Sequence, residues 1–344
     1  ALAITSILHT NRTSLAKAAV KDTVLTSLSI FLSCPANMVN NTQTPFKVPV
    51  IDFSGKDLTP GTSDWVSTSN EVRQALEDCG CFEAAYGKVS SKLHGSICHA
   101  MEDLFDLPTE NKSRYTFDTP FYGYTGPSAQ APLRESVNIR DPSNPEEAKG
   151  FTDLMWPEGN ETFRETIYSY SKQIAELDQM VTRMVFDNFG VEKYHKSHVE
   201  ASTYILRVIK YRDPQSSETN IGCGAHADMS FTTILHQNQV SGLQIKTKDG
   251  EWIDVAPSTN CSFIVMAGHP FTVWSNGRVH APVHQVVMKG DKTRYSVALF
   301  SYGTGVIQPP EEFIDEEHPL KYKPFDNIQS AVFFTKSKGS LPTQ

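Results

Sequence analysis

The chain has 344 residues, of which 39% are hydrophobic and 20% charged, and it carries a formal net charge of −8. This composition is typical of a soluble globular protein, and a negative charge without a basic stripe argues against a nucleic-acid or anionic-membrane binder. No apolar run reaches the roughly 18 residues that a transmembrane helix requires, and the six cysteines show no CxxC spacing, which favours reduced thiols in a cytoplasmic protein.

Residues 1–37 differ from the rest of the chain, because they are rich in Ser, Thr, Ala and Leu and contain a single acid, Asp22. Such a composition can mark an organelle transit peptide, so organelle targeting is the alternative to a cytoplasmic location. We expect instead an extension that is disordered or not part of the folded unit. A single domain then follows at 38–344, with a mainly helical part at 38–200, a core at 201–305 and a C-terminal tail at 306–344.

Two strands and two helices are predicted next. The short apolar run at 49–53 predicts a strand, and helical spacing at 64–76 predicts a helix. A second strand is predicted at 81–84 and a second helix at about 90–105. The latter ends before Pro108, since the residue preceding a proline avoids the helical region.

Residues 120–157 contain many Gly, Pro and Ser with little periodicity, which predicts a long loop region. Long loops in compact domains often cover binding sites. We predict that its aromatic residues Phe121, Tyr122 and Tyr124 contact a substrate in an apolar pocket. The alternative, that they pack the loop onto the core, stays open.

The clearest helix begins after Asn160, a predicted N-cap, and stops near Gly190. Its apolar residues are spaced by three and four, as on one face of an amphipathic helix that packs against a sheet. They are Phe163, Ile167, Tyr170, Ile174, Leu177, Val181 and Met184.

Seven short strands without intervening helices are predicted after about Ser202, several of them separated by the hairpin dipeptides Asp249-Gly250 and Asn276-Gly277. This pattern predicts an antiparallel sandwich or barrel closed as a jelly roll. The fold class is therefore α+β, a double-stranded β-helix (jelly-roll) core with N-terminal helices packed on its outside.

His226 and Asp228 form the first candidate site, because residues at i and i+2 of a strand point to one face. An imidazole and a carboxylate suit a divalent metal, but two ligands are a weak signal, and a third must come from another strand. Four later histidines compete for that role: His236, expected on the same strand as His226, His269 at a predicted turn, His280 and His284. Spacing alone favours His284 only slightly.

The order HAD, WSNGR, HQV and RYS resembles the plant-type 2-oxoglutarate- and iron(II)-dependent dioxygenases. The resemblance covers nearly all of residues 48–324, and stretches such as ALEDCGCFEA, WPEGN, LRVIKY, TKDGEW and DEEHPL are similar to the AOP-like clade. It implies that His226, Asp228 and His284 form the 2-His-1-carboxylate triad for Fe(II). It further implies that 2-oxoglutarate and O2 are cosubstrates, with ascorbate as the reductant.

The same resemblance implies a 2-oxoglutarate site. Arg294 would bind the far carboxylate of the cosubstrate bidentately, and Ser296, two residues on, would add a hydroxyl hydrogen bond. Tyr211 matches a family tyrosine that reaches 2-oxoglutarate, although the asparagine that commonly precedes it is absent. A second departure is His269, where relatives commonly have aspartate.

The resemblance predicts hydroxylation, or another oxidation, of a small specialised metabolite, coupled to conversion of 2-oxoglutarate and O2 to succinate and CO2. The partners are then a small-molecule substrate, with no nucleic acid and no membrane, and we expect a monomer. Three alternatives stay open: oxidation of a hormone-like small acid, a non-catalytic binding module on this fold, and a zinc hydrolase on a jelly roll.

Overall fold

Helices dominate the first half of the chain and strands the second. The computed structural model describes residues 47–118, 122–255, 258–259 and 262–336. The first elements are β1 (Val50–Asp52), α1 (Ser63–Asp78), β2 (Cys81–Ala85), α2 (Ser91–Asp106), α3 (Thr109–Lys112), β3 (Gly123–Thr125), β4 (Arg134–Arg140), α4 (Pro145–Met155), α5 (Glu161–Asn188), a 3₁₀ turn (Glu192–Tyr194) and α6 (His195–Glu200).

The second half contains most of the strands. They are β5 (Ser202–Tyr211), β6 (Ile221–His226), β7 (Thr232–Gln237), β8 (Leu243–Lys246), β9 (Trp252–Asp254), β10 (Ser262–Ala267), β11 (His284–Val287), β12 (Arg294–Gly303), β13 (Val306–Ile307) and β14 (Phe325–Asp326). A short helix, α7 (His269–Trp274), precedes β11, and a 3₁₀ turn (Glu311–Phe313) and the helix α8 (Asn327–Lys336) follow β13 and β14 respectively.

The long helices begin at polar caps that satisfy free backbone N–H groups. Asn160 Oδ1 accepts from the Phe163 N–H at 3.0 Å at the start of α5, as predicted, and Ser90 Oγ accepts from the Leu93 N–H at 3.2 Å at the start of α2. The chain leaves α5 at Gly190, whose φ of 70° is one that glycine adopts without strain. Every residue of the predicted apolar stripe of α5 is buried.

Two sheets form the core of the molecule. The larger has the order β1-β2-β10-β7-β12-β5-β4-β3, and the smaller has the order β6-β11-β8-β9. All neighbours in these two sheets are antiparallel except β1 and β2. This arrangement, with helices packed on the larger sheet, confirms the predicted α+β jelly-roll class.

Two apolar layers hold the elements together. On one face of the larger sheet, residues such as Val72, Leu104 and Tyr170 from α1, α2 and α5 share one buried cluster with Phe263 and Val297. A second cluster fills the space between the sheets, joining Leu235, Leu243, Ile245, Met266 and Ala298. None of the helices in the described part of the chain combines the length and apolar character of a membrane span.

The prediction of a long loop at 120–157 was wrong, because β3, β4 and α4 lie there. The helix α4 carries a start signal in its sequence: Asn144 Oδ1 accepts from the Glu146 N–H at 2.9 Å, and Pro145 occupies the first turn. The strand β4 alternates Val137 and Ile139 with polar residues, a short pattern that the surrounding Gly and Pro obscured.

Three smaller expectations also need correction. His226 and His236 were expected on one strand, but Ile221–His226 forms β6 and His236 lies on β7. The strands after Ser202 were expected to follow one another without a helix, but α7 lies between β10 and β11. Asn276-Gly277 follows α7 and does not close a hairpin. The division into an extension, a domain and a tail stays a prediction: β13, β14 and α8 lie in the tail at 306–344, and the extension at 1–37 lies outside the described residues.

Candidate active site

Three potential metal ligands meet at one end of the smaller sheet. His226 is the last residue of β6, Asp228 follows it after one intervening residue, and His284 is the first residue of β11. The register of the sheet pairs His284 with His226, so two distant parts of the chain bring their imidazoles to adjacent strands. Their ring centroids lie 4.3 Å apart.

The donor atoms of the three side chains converge. His226 Nε2 lies 3.6 Å from Asp228 Oδ1, and His284 Nε2 lies 3.7 Å from the same oxygen. One ligand atom from each residue falls within 4.8 Å of the other two. Within the described residues this is the only group of three or more His, Cys, Asp or Glu with such spacing. Two imidazoles and one carboxylate form the donor set that leaves open positions on a non-haem iron.

Backbone and hydroxyl groups orient these ligands. Nδ1 of His226 lies 2.8 Å from the carbonyl of Gly224, and Nδ1 of His284 lies 3.2 Å from that of Pro282. Donation from Nδ1 leaves each Nε2 lone pair available for a metal. Asp228 Oδ2 accepts from the Thr233 hydroxyl at 2.7 Å, so Oδ1 remains for the metal.

The site favours the protonation states that bind metal at Asp228 and His284. Burial would raise the pKa of Asp228, but His284, His226 and the Thr233 hydroxyl together hold it well below its usual value. Burial lowers the pKa of His284 despite the neighbouring carboxylate. Burial also acts to lower the pKa of His226, yet hydrogen bonding with Asp228 and Cys223 raises it well above the ordinary value.

The three other histidines considered as the third ligand lie away from this group of donor atoms. His236 was expected on the strand of His226, but it lies on β7. Its Nε2 lies 3.1 Å from Nδ1 of His94 on α2. His269 begins α7, and its ring packs near Phe325. His280 precedes β11, and its backbone N–H donates to the Leu76 carbonyl at 3.1 Å.

Arg294 lies in the interior between the two sheets with 0% of its surface exposed. Its Nη2 donates to Gln237 Oε1 at 2.6 Å and its Nη1 to Ser296 Oγ at 3.3 Å, while Nε donates to no group in the described part of the chain. A buried guanidinium with neutral partners and an unused N–H has the geometry and charge to receive a carboxylate.

Tyr211 stands beside this arginine. The register of β5 and β12 pairs the two residues, and the Arg294 Cζ lies 5.3 Å from the centre of the Tyr211 ring. Burial raises the pKa of Tyr211 to about 12, so its hydroxyl remains a hydrogen-bond donor at neutral pH. The three residues predicted for 2-oxoglutarate therefore lie on adjacent strands and line one cleft with the metal ligands.

The aromatic residues predicted to contact substrate are placed differently from one another. Phe121 lies outside the described residues. Tyr122 packs against the cluster of Ile205 and Tyr302, and Phe300, which also packs against this cluster, lines the cleft. Tyr124 instead donates to Glu135 at 2.9 Å and does not line the cleft.

Sequence reasoning missed several residues that line the cleft, because they depend on which strands pair. Arg134, Arg207 and Phe300 point into it from β4, β5 and β12. Alternation along each strand would have placed them with Tyr211 and Arg294 once the register was known.

Comparisons with known proteins agree with this geometry. Residues 202–302 match the profile of the 2OG-Fe(II) oxygenase superfamily, and residues 48–159 match that of the non-haem dioxygenase in morphine synthesis N-terminal region. A probable 2-oxoglutarate-dependent dioxygenase, AOP1 of Arabidopsis thaliana, is 44% identical over 305 residues, covering 86% of this chain and 93% of that protein.

A more distant relative and a solved structure extend the comparison. The 2-oxoglutarate-dependent dioxygenase AOP3 of Arabidopsis thaliana is 32% identical, covering 85% of this chain and 94% of that protein. The structure of dioxygenase for auxin oxidation 1 from the same plant, in binary complex with 2-oxoglutarate, superposes with a TM-score of 0.72. It is 28% identical and covers 79% of this chain and 100% of that one.

Proposed function

Because the chain belongs to the 2OG-Fe(II) oxygenase superfamily and is an AOP-like 2-oxoglutarate-dependent dioxygenase, we propose that it hydroxylates, or otherwise oxidises, a small specialised metabolite. The observation that carries the site is the convergence of two Nε2 atoms and one carboxylate oxygen in the same cleft as a buried arginine. Iron(II), when bound there, activates O2 and couples decarboxylation of 2-oxoglutarate to succinate with substrate oxidation.

The proposal assigns His226, Asp228 and His284 to the metal. Backbone carbonyls hold both imidazoles in the orientation that presents Nε2, and Thr233 holds the carboxylate in place. Such partners fix the ligands before the metal arrives, which raises metal affinity.

Arg294, Ser296 and Tyr211 are assigned to the far carboxylate of 2-oxoglutarate. The guanidinium supplies the opposite charge, and the two hydroxyl groups supply further donors from neighbouring strands. Full burial of Arg294 strengthens this ion pair and keeps water away from the guanidinium. Arg294 forms no ion pair within the described part of the protein, so the far carboxylate of 2-oxoglutarate would neutralise its charge.

The remaining assignments are parts of the same proposal. Residues 38–344 form a single domain that acts as a monomer in the cytoplasm, with residues 1–37 as an extension, and ascorbate keeps the iron reduced. Tyr122, from the loop before β3, contacts the substrate. Oxidation of a hormone-like small acid is the second candidate, and it is favoured by the positive charge of the cleft.

Succinate formation from 2-oxoglutarate tests the proposal. Purified protein with Fe(II), ascorbate and a panel of candidate metabolites under air should release succinate in a substrate-dependent manner. Zn(II) in place of Fe(II) should give none, which separates this chemistry from that of a zinc hydrolase.

The Asp228→Ala variant provides the decisive comparison. We expect it to fold and to release no succinate, because it loses an anionic ligand. Asp153→Ala, which removes an exposed carboxylate from α4, is the matched control and should keep wild-type turnover. Undiminished 2-oxoglutarate consumption by Asp228→Ala would disprove the iron assignment, and a wild type that binds neither metal nor 2-oxoglutarate would favour a non-catalytic module.

A further inference from the structure

The inner face of the larger sheet carries side chains in rows that follow the strand register. Alternate residues of each strand share this face, so paired residues on neighbouring strands stand side by side. From the cosubstrate end outward, the rows are Arg134–Tyr211–Arg294, then Ser136–Ile209–Ser296–Gln237, then Asn138–Arg207–Ala298–Leu235, then Arg140–Ile205–Phe300–Thr233.

Arg207 therefore lies apart from the cosubstrate arginine and close to the level of the metal. It lies four positions before Tyr211 on β5, which corresponds to about 13 Å along a strand. The next row contains Thr233, whose hydroxyl holds Asp228. A group bound by Arg207 would therefore lie two rows away from Arg294 and next to the row of Thr233.

The cleft has more cations than carboxylates. Arg134, Arg207 and Arg294 line it, and Asp228 is the one carboxylate among its described lining residues. Among the residues that the structure describes, none of these three arginines forms an ion pair. The arginines that do are Arg73, Arg140, Arg164, Arg183 and Arg212.

The proposed metal and cosubstrate do not remove this excess. The two positive charges of Fe(II) and the one on Arg294 are matched by Asp228 and the two carboxylates of 2-oxoglutarate. Arg207 and Arg134 then remain without a carboxylate partner in a partly buried cleft, where an unpaired charge is costly. A further anion of one or two charges would complete the balance.

Arg207 is the better placed of the two to receive it. Its Nε donates to Asn138 Oδ1 at 2.8 Å, which fixes the plane of the guanidinium. Arg134 instead stands in the row of Tyr211 and approaches Cys223, with 3.6 Å between Nη1 and Sγ.

An aromatic ring lies beside the guanidinium of Arg207. The Phe300 ring centre lies 5.7 Å from its Cζ. Phe300 belongs to a cluster with Ile205, Tyr302 and Met229. A guanidinium beside an aromatic ring can bind a molecule that has one oxyanion and an apolar body.

We propose that Arg207 binds the oxyanion head group, a carboxylate or a sulfate, of a substrate whose apolar body packs against Phe300 and its cluster. This inference rests on the proposed function, since iron and 2-oxoglutarate are what neutralise the rest of the cleft. Arg207 is thus a specificity-determining residue, and the substrate class is an apolar acid.

Binding of matched probes tests the inference without turnover. Phenylacetate, phenyl sulfate and the neutral phenylacetamide would be titrated into protein loaded with Zn(II) and saturating 2-oxoglutarate, with ligand-observed NMR as the readout. Saturating 2-oxoglutarate keeps the probes away from Arg294. We expect at least one acid to bind on the order of tenfold more tightly than the amide, and the better acid identifies carboxylate or sulfate.

Three variants complete the experiment. Arg207→Gln should abolish the preference for the acid, Arg207→Lys should restore part of it, and 2-oxoglutarate affinity should stay unchanged in both. Lys210→Gln removes one positive charge from the opposite face of the same strand and should keep the preference.

The outcomes separate this inference from the function on which it rests. Equal binding of acids and amide, no binding of either acid, or an Arg207→Gln variant with the wild-type preference would each overturn the role of Arg207. Failure of the wild type to bind 2-oxoglutarate would instead overturn the proposed function, and with it the inference.

Discussion

The backbone of Gly268 and His269 positions the loop that carries Asp228. The His269 N–H donates to the Asp228 carbonyl at 2.8 Å, and the Gly268 N–H donates to the Phe231 carbonyl at 3.0 Å. The His269 ring lies near Phe325. Both hydrogen bonds use backbone groups only. The aspartate that the similar dioxygenases commonly carry at position 269 is therefore not needed to form them.

Gly268 tolerates no side chain. A Cβ there would lie 1.8 Å from the Ser230 carbonyl oxygen and 2.9 Å from that of Asp228, and both are backbone atoms that cannot swing aside. We expect Gly268→Ala to displace the loop and to lower metal affinity about tenfold or more, as changes around metal ligands commonly do. The measurement is Co(II) binding followed by its visible absorption.

A second glycine supplies the control for that variant. Gly150 lies in α4, and apart from its chain neighbours and the backbone of the helix itself no described atom lies within 4 Å of the place that an alanine methyl group would take there. Gly150→Ala should therefore keep Co(II) affinity and be neutral or slightly stabilising. If Gly268→Ala bound Co(II) as tightly as Gly150→Ala does, the positioning role of Gly268 would be refuted.

At the level of elements, one buried carboxyl group joins α5 to the larger sheet. Asp178 accepts hydrogen bonds from Tyr204 of β5 at 3.0 Å and from Thr232 of β7. Burial raises the pKa of Asp178 to about 6 from an ordinary value of 3.8, although these hydrogen bonds oppose the rise. The folded protein therefore binds this proton more tightly than the unfolded chain does.

The sign of the pH effect follows from linkage. A raised folded-state pKa contributes stability that is fully present below about pH 4 and is lost as the pH rises through about 6. A difference of this size corresponds to about 3 kcal/mol. We expect Asp178→Asn to flatten the pH dependence of the free energy of unfolding between about pH 4 and pH 6.

Urea unfolding at a series of pH values measures this slope. Asp153→Asn, on the exposed side of α4, controls for the removal of a carboxyl group. An Asp178→Asn variant that loses stability across this pH range as steeply as the wild type would show that Asp178 does not cause the slope.

The elements that the sequence predicts well are those with long periodic patterns. The stripe of α5 and its Asn160 cap are visible in the chain, and so are the apolar strands β10 and β12. In contrast, β4 exposes polar residues to the cleft, and its Arg134, Ser136 and Asn138 look like loop residues until pairing with β5 is known. The polar residues that β4 places on the inner face thus weaken the alternation of apolar and polar residues by which a strand is predicted.

For the whole molecule, the sequence predicts the metal ligands but not all of the residues that surround them. His226, Asp228 and Arg294 sit in motifs whose spacing resembles a known family, so the sequence alone predicts their roles. Gln237 and Arg207 reach the cleft only through register across β7, β12 and β5. Such contacts between distant strands carry no local sequence signal.

Because the two sheets share one cleft, ligands that bind there should stabilise the entire fold. A ligand at about 100 times its dissociation constant contributes about 2.7 kcal/mol, which corresponds to a rise in Tm of about 4 °C for a domain of about 300 residues. We therefore expect Mn(II), a redox-inert substitute for Fe(II), together with 2-oxoglutarate to raise the Tm of the wild type by this amount in differential scanning fluorimetry.

Two variants divide this stabilisation between metal and cosubstrate. Asp228→Ala should lose both contributions, because 2-oxoglutarate binds partly through the metal, whereas Arg294→Ala should keep the shift caused by Mn(II) and lose the one added by 2-oxoglutarate. Arg212→Ala, which removes an exposed arginine paired with Glu218, should behave as the wild type does. A 2-oxoglutarate shift that survives in Arg294→Ala would place the far carboxylate of the cosubstrate elsewhere in the cleft, and the charge balance that leaves Arg207 unpaired would then no longer hold.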